Sequence, residues 1–179
     1  MRLARRWGLL ALSLALAACS TLRPPEERLP GERISGRLSV RVEGTEGAAA
    51  RALSAGFELE GSPTTGRLDL ATPLGTMLAQ VHWAPGNATL VTPQNTSPYA
   101  DLDALTAHLL GESVPVAALF DWLRGRPWPA APSAPLPDPP AGFAQLGWTV
   151  DLAAFNEALV IARRDRPPAV TVRAKLDRP

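Results

Sequence analysis

The sequence predicts a mainly β domain in which one curved antiparallel sheet wraps around two inserted helices. Three observations carry this reading. Apolar residues alternate with period two from Ile34 to Val91, the spacing becomes helical between residues 101 and 125, and period two returns from Trp148 to Leu176.

The first strands are read directly from the alternation. In "ISGRLSVRV", Ile34, Leu38, Val40 and Val42 share one face, while Ser35, Arg37, Ser39 and Arg41 share the other. "ALSAGFELE" repeats the pattern, with Phe57 and Leu59 opposite Glu58 and Glu60. Leu68 and Leu70 alternate with Arg67 and Asp69, and Met77, Ala79, Val81 and Trp83 alternate with Thr76, Gln80 and His82. "NATLV" follows a turn at Pro85-Gly86-Asn87. Sequential half-buried strands joined by short turns make an antiparallel meander.

Two helices interrupt it. "DLDALTAHLLG" has Asp101 as N-cap, Gly111 as stop, and Leu102, Leu105 and Leu109 on one stripe. "VPVAALFDWLRG" starts at Pro115 and spaces Val116, Leu119, Phe120 and Leu123 at i, i+3, i+4 and i+7, with Gly125 ending it. Residues 127–140 hold seven prolines and read as an extended loop. Beyond it, Trp148, Val150 and Leu152 share a strand face, as do Val170, Val172, Ala174 and Leu176. "ALVIARR" fits a strand less cleanly.

The hairpin "LDLATPLGTMLAQV" raises a question. Turn tips are usually polar, yet here Leu74 stands between Pro73 and Gly75. The two readings are an apolar side chain held out in the solvent and a leucine folded back over the sheet edge.

The N-terminus bears on compartment. Arg2, Arg5 and Arg6 precede "WGLLALSLALAA", twelve apolar or small residues ending before Cys19. A helix of that length spans roughly 18 Å, short of the roughly 30 Å hydrocarbon core, so the run reads as an export signal. "LAAC" resembles the lipobox of bacterial lipoproteins. That resemblance implies cleavage before Cys19, an S-diacylglycerol on its thiol and an N-acyl group on the freed amine. Ser20, in place of an aspartate, then points to the outer membrane. Residues 1–18 are thus read as a lipoprotein signal peptide, 19–33 as lipidated N-terminus and proline-rich tether, and 34–179 as the domain.

Composition excludes several functions. Without the three signal arginines, 15 basic residues face 17 acidic ones, and no basic run remains to attract nucleic acid. The single lysine, Lys175, lies in a strand pattern, so there is no phosphate-binding loop. No nucleophile elbow occurs. His82 and His108 lack metal-ligand spacing, and Glu58 and Glu60 read as an exposed strand face. Neither an enzyme, a resident cofactor nor a metal is expected.

Several stretches together resemble the LolB family of outer-membrane lipoproteins. They are the lipobox, "GRLSV", "LDLATPLGT", "VPVAALFDWLRGRP", "GFAQLGWTV" and "VTVRAKLDR", in the family's order. The resemblance implies a LolA/LolB-like fold, an unclosed antiparallel β-barrel whose apolar concave interior is covered by helices. It also implies a function: accepting lipoproteins from a LolA-like periplasmic carrier and inserting them into the outer membrane from its periplasmic face, as a monomer and without ATP. Candidate contacts for cargo acyl chains are Phe57, Leu59, Leu119, Phe120, Trp122, Leu123 and Trp148. Pro73, Leu74 and Gly75 match the family's protruding loop, implicated in delivery to the bilayer. Two departures stand out: no long helix precedes the first strand, and the chain closes on Asp177, Arg178 and Pro179 where the family tends to place tryptophan. An assembly-factor lipoprotein that binds protein is the competing reading, and a lipid hydrolase is disfavoured by the missing nucleophile motif.

Overall fold

A computed structural model describes residues 31–137 and 141–177. The signal segment 1–18 and most of the tether lie outside the described residues. Eleven strands form one antiparallel sheet: β1 (Glu32–Val42), β2 (Arg51–Gly61), β3 (Gly66–Ala71), β4 (Met77–Ala84), β5 (Asn87–Val91), β6 (Thr96–Tyr99), β7 (Ser133–Pro135), β8 (Gly142–Gln145), β9 (Trp148–Asp151), β10 (Leu159–Arg164) and β11 (Val170–Leu176). Helices α1 (Leu102–Leu110) and α2 (Val116–Trp122) sit between β6 and β7. The first strand begins at Glu32, two residues before the expected domain start.

The strand order is β6-β5-β4-β3-β2-β1-β11-β10-β9-β8-β7. The N-terminal meander and the C-terminal strands therefore meet at β1–β11, where Arg37 pairs with Lys175 and Val40 with Val172. The two outermost strands, β6 and β7, are short and carry Pro98 and Pro135. Proline offers no N–H to a further neighbour, so it is tolerated at an edge and blocks pairing there. The sheet stays open.

Both edge strands escaped the alternation reading because "TSPY" and "SAP" are short and interrupted by proline. Residues 127–140 are consequently not loop throughout. The stretch "ALVIARR" supplies β10; its pattern is blurred because Arg164 is buried on the inner face.

The helices end as their sequences dictate. The Asp101 carboxylate accepts from the Ala104 amide at 2.7 Å, and Gly111, at φ 80°, donates its N–H to the Ala107 carbonyl. Past Trp122 the chain tightens into i→i−3 bonds from Arg124 to Asp121 and from Gly125 to Trp122, so α2 is shorter than its apolar spacing.

One hydrophobic core runs along the concave side of the sheet and under both helices. Its C-terminal half is aromatic. Trp122 stacks obliquely on Trp148 at 6.0 Å and meets Phe143 at 6.4 Å, while Phe120 packs edge-on to Trp83 at 5.8 Å. The N-terminal half is mostly aliphatic, with Phe57 on β2 and Trp83 on β4 as its buried aromatics, and there the packing is incomplete.

Candidate functional site: an apolar cavity and a protruding leucine

A cavity of about 120 Å³ lies between the aliphatic half of the sheet and the helices. β1, β2 and β3 contribute Leu38, Leu53, Phe57, Leu59 and Leu68; α2 contributes Val116 and Leu119, and its C-cap residue adds Leu123. Alternation along the strands aims every second side chain inward. The i, i+3, i+7 spacing of Val116, Leu119 and Leu123 puts those three on one helical stripe. Thr106 is the one lining residue with a side-chain polar atom. Its hydroxyl donates to the Leu102 and Asp103 carbonyls and accepts from the Val114 amide at 3.0 Å. The cavity therefore has no free polar group to hold water, and a cavity of that kind favours apolar occupants.

Of the expected acyl contacts, the structure brings Phe57, Leu59, Leu119 and Leu123 together around this cavity. Phe120, Trp122 and Trp148 are not among its lining residues. Phe120 turns toward Trp83, one position round the helix from Leu119. Trp122 is fully buried, with its indole N–H donating to the Gln145 amide oxygen at 2.7 Å. Trp148 packs on Trp122 and beneath the Arg164 guanidinium. Composition alone does not separate these core aromatics from cavity side chains, because both are apolar and both face inward.

Gln145 is the residue the sequence did not disclose. Its amide oxygen accepts from Trp122 Nε1 and from the Trp128 backbone N–H, and its amide nitrogen donates to the carbonyls of Trp128 and Ala131. One buried side chain thus ties α2, β8 and the proline-rich segment together.

The hairpin between β3 and β4 presents Leu74, which is 94% exposed. The loop is closed by its own bonds: Gly75 N–H to the Thr72 carbonyl at 2.9 Å, Thr72 N–H to the Thr76 carbonyl at 2.8 Å, and Thr76 N–H to the Thr72 hydroxyl at 3.1 Å. Pro73 fixes the first turn dihedral, and Gly75 takes φ 84°, a left-handed conformation that favours glycine. Leu74 is held outward rather than folded over the sheet edge. Met77 and Leu78, at the start of β4, are also exposed apolar residues.

The charged residues at the opposite end of β3 from this hairpin serve the sheet. Glu60 is buried, contrary to its reading as an exposed position. Arg33 and Arg67 both bond its carboxylate, and Arg67 also lies 3.0 Å from Asp69. His82 bonds Gln80 at 2.7 Å through Nε2 on the outer face, and His108 packs against the Tyr99 ring at 5.5 Å.

Fold and site define the class: an unclosed antiparallel barrel with two helices over an apolar interior and an apolar side chain projecting from one hairpin. The family model described as outer membrane lipoprotein LolB matches residues 33–176. The outer-membrane lipoprotein LolB of Cupriavidus pinatubonensis is 36% identical over 174 residues, covering 88% of this chain and 80% of that protein. Its counterpart from Bordetella petrii is 32% identical over 186 residues, covering 98% and 93%. The chain belongs to the LolB family of outer-membrane lipoproteins.

Proposed function

We propose that this protein accepts lipoproteins from a LolA-like periplasmic carrier into its apolar cavity and inserts them into the inner leaflet of the outer membrane, without hydrolysing ATP. It sits on the periplasmic face as a monomer, anchored by the N-acyl and S-diacylglycerol groups on Cys19. It is not an enzyme. The observation that carries the reading is the cavity, whose only polar lining side chain is spent on backbone groups.

Physical chemistry explains why such a container is needed. Burying a methylene contributes about 0.8 kcal/mol, so releasing one acyl chain of common length into water costs roughly 12 kcal/mol. Cargo cannot cross water between carrier and membrane on a useful timescale. It passes instead from one apolar cavity to another in contact, downhill if the second binds more tightly. Leu74 then serves as the contact with the bilayer.

The cavity as it stands is small. A cavity of about 150 Å³ holds a benzene ring, and an acyl chain is several times larger. Entry of cargo therefore displaces side chains, and the helices are the movable wall. The test is binding of a hydrophobic fluorophore and its release by a fatty acyl chain. Fluorophore bound and then displaced supports an acyl-binding container; no binding by the folded protein contradicts it and favours a protein-binding role.

A further inference from the structure

The outer face of the sheet carries a group of cations that the cavity does not use. Arg37 on β1 lies directly opposite Lys175 on β11, and Arg173, opposite Ser39, follows on the same face. All three are exposed. Like charges directly opposite each other destabilise a sheet, so folding does not explain the placement. Among the described residues Arg37 and Arg173 have no ion pair or side-chain hydrogen bond, and Lys175 donates to the Glu157 carbonyl. Asp177, the carboxylate that lines the same groove, accepts from the Ser35 hydroxyl at 2.9 Å, and Glu58, opposite Ser35 and diagonal to Arg37, lies 3.2 Å from Arg33.

These cations line a groove of about 520 Å³ together with Thr72 and Pro73, the root of the loop that presents Leu74. The register shows why they adjoin. Ala71, Gly56, Arg37 and Lys175 form one row across four strands, and Gly56 places no side chain between the loop and the cations. An exposed leucine and three cations thus lie side by side on a chain whose residues 19–179 carry more acid than base.

We propose that this groove binds the headgroup phosphates of anionic phospholipids, seating the domain on the bilayer with Leu74 directed into it. The proposal rests on the reading of Leu74 as a membrane contact. An anionic surface attracts each nearby basic residue by a factor of about five, so three together increase affinity on the order of a hundredfold.

The test uses the chain from residue 19 with Cys19→Ala, so that no lipid anchor masks the effect. All eleven strands and both helices lie beyond residue 31 and are retained. Co-sedimentation is measured with phosphatidylcholine vesicles and with vesicles that also contain phosphatidylglycerol. The unmodified chain should prefer the anionic vesicles on the order of a hundredfold, less at high salt, and the combined Arg37→Gln, Arg173→Gln and Lys175→Gln variant should lose that preference. Replacing both arginines by lysine should restore it in part. No preference in the unmodified chain, or a preference that survives in the triple variant, overturns the proposal.

Leu74→Glu separates the two readings. If it leaves binding to neutral vesicles unchanged while the triple variant loses the anionic preference, the wedge fails and the headgroup site stands. If the triple variant keeps the vesicle preference but no longer accepts cargo, the cations serve a protein partner and the headgroup site is overturned. Removing the cations relieves repulsion between β1 and β11, so the melting temperature should hold or rise.

Discussion

Three residues carry distinct physical burdens. Leu74 contributes nothing to the core, so Leu74→Glu should change stability by less than about 0.5 kcal/mol while blocking delivery of cargo to vesicles. Full delivery by a folded Leu74→Glu protein would contradict the membrane-contact role. Gln145 is the opposite case. Gln145→Leu leaves the Trp122 indole N–H, the Trp128 backbone N–H and the Ala131 carbonyl without their Gln145 partner, and should cost about 3 kcal/mol or more in denaturant unfolding. A smaller loss would mean that water replaces the amide. His82 supplies a pH dependence. Its pKa lies below the usual 6.5, chiefly because burial disfavours the imidazolium; Asp69 opposes this and Arg67 adds to it. The folded state then binds fewer protons than the unfolded chain. Its contribution to stability is therefore complete above about pH 6.5 and is lost as pH falls through the lowered value. Melting temperature should fall from about pH 7.5 to about pH 5.5 more steeply in the native protein than in His82→Gln; equal slopes would contradict the assignment.

At the scale of elements, the helices and the edge strands matter most. Helix α1 has few anchors to the sheet: only Leu105 and Thr106 are buried, and its C-terminal end is held by Arg51 donating to the Leu109 carbonyl at 3.1 Å. Helix α2 is gripped by the aromatic half of the core. Amide hydrogen exchange should thus be faster across Leu102–Leu110 than across β1 and β2, and faster still when cargo is bound. Equal protection of helix and sheet would mean that α1 does not yield. Much of this level was legible in the sequence. The alternation in "ISGRLSVRV" and "ALSAGFELE", the Asp101 cap and the Gly111 stop all describe local chemistry, and each stands where its neighbours predict. What local chemistry could not convey was partnership across the chain. Gln145 carries no local signal, and its role shows only once Trp122 and Trp128 are placed beside it. Glu60 reads as exposed until Arg33 and Arg67 close over it. The candidate site was legible in the same measure. Leu119 and Leu123 could be read as inward-facing, but only the three-dimensional packing separates them from Phe120 and Trp122.

At the scale of the whole molecule, the two halves of the sheet differ in packing. Aromatic packing around Trp122 and Trp148 fills the C-terminal half, whereas the mostly aliphatic half leaves space behind the helices. Prolines on both outer strands keep the barrel from closing, so the interior can be reached without breaking a ladder. The hairpin that carries Leu74 leaves the same sheet that walls the cavity, so both belong to one frame. The central claim is that this frame receives acylated protein directly from a carrier. The measurement that tests it mixes the chain from residue 19, with Cys19→Ala, with a LolA-like carrier loaded with radiolabelled lipoprotein, and follows the label by size-exclusion chromatography in the absence of ATP. Label moving to this protein is the predicted result. Label remaining on the carrier, with this protein folded, would contradict the claim.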